Sequence, residues 1–360
     1  MTEFFCGTKI YAGKGAVNAL KKLEAQRLLV VTDPYFAKNG VAEGLAKLSG
    51  SPRWEIYDGV KPDPTVELAA EGTAKIKEFE PDLVVALGGG SAMDCAKAML
   101  YFSGSSAKLV AVPTTSGSGS EVTDFSILTH GGVKHPLVDE RLRPWVAILD
   151  EALLEGLPAS LVADGGFDVL SHALEALVGR KAGAISDALA RDSFCAAYSA
   201  LPASFAGVRQ VRLRIHTAAT MAGMAFSQAG LGVCHSLAHS LGGLYHIPHG
   251  RLNAILLPAV VEHNAGAAGQ KYAELARAAG LGGGADVMAV RNLKNALIRL
   301  RKQLQMPGSL QEAGINRGQL EKDQEKILAA ALADPCCETN PVKVDRFFLL
   351  SILDGVAGRG

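Results

Sequence analysis

This chain has no net charge, no long apolar run and few cysteines. Its 36 Lys and Arg are balanced by 36 Asp and Glu. A nucleic-acid binder needs a basic face against phosphate. The basic residues here are scattered, as at Arg209, Arg212 and Arg214, so no nucleic-acid partner is expected. No uncharged apolar run approaches the ~18 residues of a membrane span, so no membrane partner is expected either. The opening Met1-Thr2-Glu3-Phe4-Phe5-Cys6 has no basic flank before an apolar stretch, which argues against a signal peptide. Six cysteines in 360 residues make no disulfide scaffold and no C-x-x-C pair. Cys336 and Cys337 are adjacent, a poor spacing for a zinc clip. A reducing cytoplasm fits best. Cys6, Cys95, Cys195 and Cys234 read as small packing residues.

What is present is a large, well-furnished core. Apolar residues make up 48% of the chain and charged residues 20%, a balance that favours collapse over disorder. At roughly 150 residues per domain, the length implies two domains. Forty glycines exceed the usual ~7% and announce tight turns or close backbone approaches.

The first half alternates short apolar runs with helical stretches, the βαβ pattern. Strands are expected at Leu28–Val31, Trp54–Tyr57, Leu83–Leu87, Leu109–Val112 and Trp145–Leu149, with helices at Pro64–Glu78 and Ser91–Tyr101. Continuous apolar strands point to a parallel sheet covered on both faces. Phe125–Leu128 and Lys134–Val138 flank Gly131-Gly132, a hairpin signal. Beyond Leu157 the strand signals stop. Asp168–Leu177, Ser186–Ser199, Val211–Ala225 and Val287–Gln305 show helical spacing. The expected organisation is an α/β domain over 1–157 and a helical domain over 158–360.

Gly88-Gly89-Gly90-Ser91 stands between a strand and a helix. Glycines let a diphosphate approach the backbone, and a helix start offers unpaired N–H groups. Ser91 with Asp94 three residues on has capping-box spacing. This is not the G-x-G-x-x-G fingerprint, and spacing alone leaves a plain β–α turn open. Thr114-Thr115-Ser116-Gly117-Ser118-Gly119-Ser120-Glu121 follows the next strand as a polar loop. Two such loops after neighbouring strands share the carboxyl edge of a sheet, where ligands bind. Asp33 closes the first strand and is placed either to bond ribose hydroxyls or to turn the chain before Pro34.

Nine histidines are present, four of them at 235, 239, 246 and 249. Asp168 and His172 are four apart on an expected helix, as are His235 and His239, so each pair faces one side. A carboxylate among imidazoles suits Fe(II), Zn(II), Co(II) or Mn(II). Ordinary buried histidines remain the alternative, and spacing does not say which would bind.

At Gly88–Lys97, then Pro113-Thr114-Thr115-Ser116-Gly117-Ser118-Gly119-Ser120-Glu121-Val122-Thr123, the chain resembles the iron-containing (group III) alcohol dehydrogenases. Phe167-Asp168-Val169-Leu170-Ser171-His172, Gly232–Gly243 and Pro248-His249-Gly250 extend the likeness nearly end to end. The resemblance implies a Rossmann-like, dehydroquinate synthase-like domain joined to an all-α metal-binding domain. It implies metal ligands Asp168, His172, His235 and His249, with His239 as an active-site proton relay. For NAD(H) it implies Asp33, Gly88, Gly89, Gly90, Ser91, Thr114, Thr115, Ser118, Thr123 and Lys134, and for the substrate pocket Phe226. It also implies Fe2+, with Zn2+ as another candidate, and a homodimer acting on small alcohols and aldehydes. Within the family the likeness is nearest to the propanol dehydrogenases of propanediol utilisation, through Met224–Gly232, Ala331–Asp334 and Thr339-Asn340-Pro341. That likeness implies association with a bacterial microcompartment. Ser118 stands where many members carry Thr, and Phe125 where some carry a polar residue. The full ligand set sets the chain apart from the metal-free maleylacetate reductase branch. Competing readings are a zinc polyol dehydrogenase, a dehydroquinate synthase-like lyase and a non-catalytic NAD-binding scaffold.

Overall fold

The computed structural model describes residues 4–131 and 133–358. Met1–Glu3 of the opening segment and Gly132 of the hairpin signal lie outside the described residues. The chain divides into two compact units, Phe5–Leu157 and the part from Pro158 onward, which also takes in Phe4.

The first unit is α/β. Its strands are β1 (Lys9–Ala12), β2 (Arg27–Val31), β3 (Arg53–Tyr57), β4 (Leu83–Gly88), β5 (Lys108–Pro113), β6 (Phe125–His130), β7 (Val133–Val138) and β8 (Val146–Leu149). Among the described residues, six strands form one parallel sheet in the order β1-β8-β5-β4-β2-β3. Its helices are α1 (Pro34–Lys38), α2 (Val41–Ser49), α3 (Val66–Phe79) and α4 (Gly90–Ser103). Alternate strand residues enter two apolar clusters. Val30, Val85, Val112 and Ile148 pack with Leu20, Ala42 and Leu45. Leu29, Val31, Val84 and Ala86 pack with Ile76, Met93 and Met99. With helices on both faces, a strand gains by being apolar at every position, which is why the runs were readable. β1 was not expected. Among the described residues it pairs only with β8 at the sheet edge and is at most half-buried, so it carries no apolar run. β6 and β7 form the antiparallel hairpin, from Phe125 opposite Val138 to His130 opposite Val133.

The second unit is helical: α5 (Ala159–Val178), α6 (Ala184–Phe205), α7 (Arg212–Ala229), α8 (Val233–Tyr245), α9 (His249–Ala278), α10 (Asp286–Gln303), α11 (Arg317–Ala333), α12 (Cys336–Thr339) and α13 (Arg346–Val356). α5 is central and packs on α6, α7, α8 and α9. Its run from Gly166 to Val178 is buried without a break, so the stretch that carries Asp168 and His172 is surrounded rather than surface-lying. Where α9 begins, the approach to α5 is so close that a Cβ on Gly250 would lie 1.9 Å from the Asp164 carbonyl oxygen. Cys6 is exposed, contrary to the packing role expected of it, because its segment lies ahead of the edge strand. Among the described residues, no helix is long and apolar enough to cross a membrane.

Core and surface positions should respond differently to truncation. Leu28→Ala on β2, where Leu28 has no exposed surface, should cost ~2–5 kcal/mol in a urea unfolding experiment. Val287→Ala, at a residue 79% exposed, should stay within ~0.5 kcal/mol of the parent.

Candidate active site

The α/β unit offers a binding edge because of its strand order. From β2 the chain moves outward to β3, then returns to place β4 on the other side of β2. Connections leave in opposite directions at β2 and β4. Open parallel sheets bind ligands in the crevice outside such a reversal, at the strands' carboxyl ends. Asp33 follows β2, and the triple glycine ends β4.

Asp33 Oδ1 accepts hydrogen bonds from the Tyr35 and Phe36 amides at 2.9 and 3.2 Å, capping α1. Its Oδ2 faces the glycine loop, 3.8 Å from where a Cβ on Gly88 would stand. Asp33 thus fills the turn role and still presents an oxygen to the crevice. Gly88 has φ of 149°, and a side chain there would also meet the Ala92 Cβ at 2.7 Å. A Cβ on Gly89 would lie 3.1 Å from Thr115 Oγ1, and one on Gly90 3.2 Å from Ser118 Oγ. The Thr114 amide donates to the Gly88 carbonyl at 2.9 Å. The two loops are therefore in mutual contact.

The capping box expected at Ser91 does not form. Helix α4 starts one residue earlier, at Gly90, with Gly89 as its N-cap and no side-chain cap among the described residues. Asp94 instead accepts from Ser120 Oγ at 2.9 Å. Extended Gly89 lets the chain enter the helix at once, which leaves first-turn amides available to a ligand rather than to a side chain.

Lys97 closes the Gly88–Lys97 stretch. It is fully buried and donates to Ser120 Oγ, the Thr123 and Phe125 carbonyls and Thr123 Oγ1, at 2.9–3.0 Å. Burial lowers its ammonium to about 8, against the pull of Asp94 and Glu121. It ties the polar loop to α4. Among the expected cofactor residues, Asp33, Gly88, Gly89, Gly90, Ser91, Thr114, Thr115 and Ser118 belong to this edge. The hydroxyl of Thr123 is engaged by Lys97, and Lys134 on β7 pairs with Asp63 at 2.7 Å.

In the helical unit, Asp168 and His172 come from α5, His235 from α8, and His249 is the first residue of α9. Donor atoms of Asp168, His235 and His249 all lie within 4.8 Å of one another. From Asp168 Oδ1 the Nε2 atoms of His249, His172 and His235 stand at 3.4, 3.8 and 3.8 Å. His172 lies outside the tight trio, stacked on His235 with centroids 4.5 Å apart. Its other face meets Phe226 of α7 at 4.4 Å. The trio fits a divalent ion on a structural criterion, since His235 Nε2 is buried with no hydrogen-bond partner among the described residues. An imidazole nitrogen is seldom left so unless something binds it. Burial works to raise the Asp168 carboxyl, and the surrounding imidazoles outweigh it and hold the group below the ordinary carboxylate range. Burial also works against charge on His235, yet Glu175 and Asp168 raise its imidazole to about 9. Such a centre attracts cations.

A further layer was not foreseen. Glu175 Oε2 meets His235 Nδ1 at 2.5 Å, and its Oε1 accepts from the Cys234 amide at 2.7 Å. Asn253 donates to Asp168 Oδ1 at 3.0 Å. Arg251 grips Asp164 at 2.9 and 3.2 Å, clamping the start of α9, and so His249, against α5. Glu175 was legible in principle, because it lies three residues after His172 and seven after Asp168, on the same helix face. His239 lies one turn beyond His235. Its ring stacks on His249 at 5.1 Å, and its Nδ1 meets Asp334 Oδ2 at 2.7 Å. Burial would raise the Asp334 carboxyl, but the His239 bond and the Cys336 amide bring it down to about 2. His246 stays out of the centre. It ends α8 in the left-handed region, at φ of 55°, and is exposed.

A nucleotide-type sheet edge in one unit and a His/Asp metal centre in the other mark a metal- and dinucleotide-dependent oxidoreductase. Residues 7–151 match the family described as iron-containing alcohol dehydrogenase, and residues 162–356 match the Fe-containing alcohol dehydrogenase family, C-terminal. The chain belongs to the iron-containing alcohol dehydrogenase family. Family membership brings a metal, a nicotinamide dinucleotide and small alcohol or aldehyde substrates. The chain is 36% identical to the 1-propanol dehydrogenase PduQ of Citrobacter freundii, covering 98% of this chain and 99% of that one. It is 35% identical to an NADPH-dependent butanol dehydrogenase of Clostridium saccharobutylicum, over 99% and 98% of the two chains. Among solved structures, an iron-containing alcohol dehydrogenase of Thermococcus thioreducens superposes with a TM-score of 0.92 at 32% identity, over 99% of each chain.

Glu175→Gln tests the supporting layer. It keeps the side-chain volume but removes the charge behind His235. Metal affinity, read by chelator competition, should fall ~10–100-fold.

Proposed function

We propose that this enzyme interconverts short primary alcohols and aldehydes of about the size of 1-propanol and propanal, with NAD(H) and Fe2+. The observation that carries the reading is the convergence of Asp168, His235 and His249 around a buried imidazole nitrogen with no hydrogen-bond partner among the described residues. Asp168, His172, His235 and His249 would hold the ion, which when bound acts as a Lewis acid on the substrate oxygen. A bound nicotinamide would supply hydride-transfer chemistry for the alcohol–aldehyde interconversion.

The remaining steps belong to the protein. Asp168 supplies the one carboxylate of the set and so offsets part of the ion's charge. Glu175 holds His235 by its Nδ1, which leaves Nε2 for the ion. Phe226, packed on His172, gives the pocket an apolar wall suited to a short alkyl chain. His239 carries the hydroxyl proton between substrate and solvent. The glycine loop, Ser91, Thr114, Thr115 and Ser118 receive the diphosphate, and Thr123 and Lys134 complete the cofactor site. Asp33 favours NAD over NADP, because its free oxygen accepts from ribose hydroxyls and repels a 2′-phosphate. We propose aldehyde reduction as the working direction and a cytoplasmic homodimer as the working form. The likeness to a PduQ protein supports association with a microcompartment.

His249→Ala should lose both bound metal and NADH oxidation with propanal, acetaldehyde and butanal. Full turnover in that variant would refute the metal assignment. Asp33→Ser keeps a cap for α1 but removes the charge. The hydrogen bond lost is worth about 1.5–3 kcal/mol, so NADH affinity should fall roughly tenfold or more while NADPH affinity improves. Unchanged constants for both cofactors would show that Asp33 does not select.

A further inference from the structure

We infer that Asp334 is a positioning residue that sets which nitrogen of His239 carries the proton. This rests on the reading of His239 as the proton carrier.

Helix α8 presents two histidines one turn apart, and each Nδ1 meets a carboxylate, the buried Glu175 behind His235 and the half-buried Asp334 behind His239. A carboxylate accepts only, so the imidazole donates through Nδ1–H, and in the neutral ring the lone pair then sits on Nε2. For His235 that atom faces Asp168. For His239 the same tautomer gives the ring, stacked on His249, a nitrogen able to accept a substrate proton. His239, Asp334 and Cys336 also bring donor atoms within 4.8 Å. Two of those donors already bond each other, so the group forms an oriented pair rather than an open cage.

The position of Asp334 is not left to the end of α11. Its Oδ1 accepts from the Cys336 amide at 2.8 Å. The Cys337 thiol lies 3.2 Å from Ser236 Oγ on α8. Thr339 Oγ1 donates to the Leu231 carbonyl at 2.5 Å, and Asn340 Oδ1 accepts from the Val233 amide at 3.3 Å. Residues 334–340 are thus fastened along the first turn of α8, and one carboxylate oxygen is held against His239.

Asp334→Asn separates this role from plain capping. The Asn oxygen can keep the Cys336 amide. Its NH2 group then faces His239 Nδ1 and forces that nitrogen to accept, which moves the proton to Nε2. An Asp-to-Asn exchange behind the catalytic histidine of trypsin-type proteases acts through such a tautomer change. The experiment compares parent, Asp334→Asn and His239→Ala proteins loaded with zinc, which suits magnetic resonance. Readouts are metal content, NADH affinity by fluorescence, kcat with propanal, and 15N spectra of histidine-labelled protein. The His239 signals are assigned by their loss in His239→Ala.

Asp334→Asn should keep one metal per chain and parental NADH affinity, lose ~10²–10⁴ in kcat, and show the protonated His239 nitrogen changed from Nδ1 to Nε2. A kcat within about threefold of the parent would reduce Asp334 to a cap and overturn the inference. So would an unmoved nitrogen pattern. Full turnover in His239→Ala would instead remove the proton-carrier reading, and the nitrogen shift would still report on Asp334.

Discussion

Asp168 is a buried carboxylate with three imidazole nitrogens 3.4–3.8 Å from one of its oxygens and an Asn253 amide at 3.0 Å. A lone carboxylate in such a place would cost several kcal/mol and would give up its charge. Here the charge persists because three imidazoles surround it and the Asn253 amide donates to it. That one requirement orders the helical unit. α5 must be central, α8 must bring its first turn to it, and α9 must begin against it. Gly250 and the Arg251–Asp164 pair satisfy the last condition, one by having no side chain and the other by tying the two helices.

The same logic extends outward as alternating charge. Asp168 stands among His172, His235 and His249. Glu175 lies behind His235, and Asp334 behind His239. Each imidazole is oriented by an acceptor at Nδ1 where one is present, and such orientation is what makes a histidine a selective ligand or a proton carrier. Glu175 and Asp334 occupy equivalent places around α8 yet serve different ends, since only His235 is in the tight donor trio.

In the α/β unit the governing constraint is topological. The reversal of connection between β2 and β4 brings Asp33 and the glycine triplet to one edge, although more than fifty residues separate them. Contact between the glycine loop and Thr115 and Ser118 means that a Cβ at Gly89 or Gly90 would push those side chains aside by a few tenths of an ångström. Lys97 completes the arrangement from beneath. Its four acceptors offset the cost of burying an ammonium group, and in return it fixes the course of the loop.

Much of this was legible along the chain. The apolar strand runs, the loss of strand signals after Leu157, both i, i+4 pairs and the two polar loops are local patterns. Each follows from a short-range rule: burial on two faces of a sheet, the 3.6-residue turn, or the freedom of glycine. β1 escaped notice because an edge strand needs no apolar run, and Ser91 misled because Gly89 could start the helix without it. What the linear chain did not contain was the pairing of distant groups. Asp334 lies 95 residues from His239, and Asp82 and Arg27, Lys97 and Phe125, Arg251 and Asp164 are likewise joined only by folding. The sequence by itself determined the two kinds of unit and the residue types able to bind a metal and a dinucleotide. Which histidines share one carboxylate, and which nitrogen each turns toward it, was decided only when packing enclosed those groups away from water, where unpaired charge is no longer tolerated.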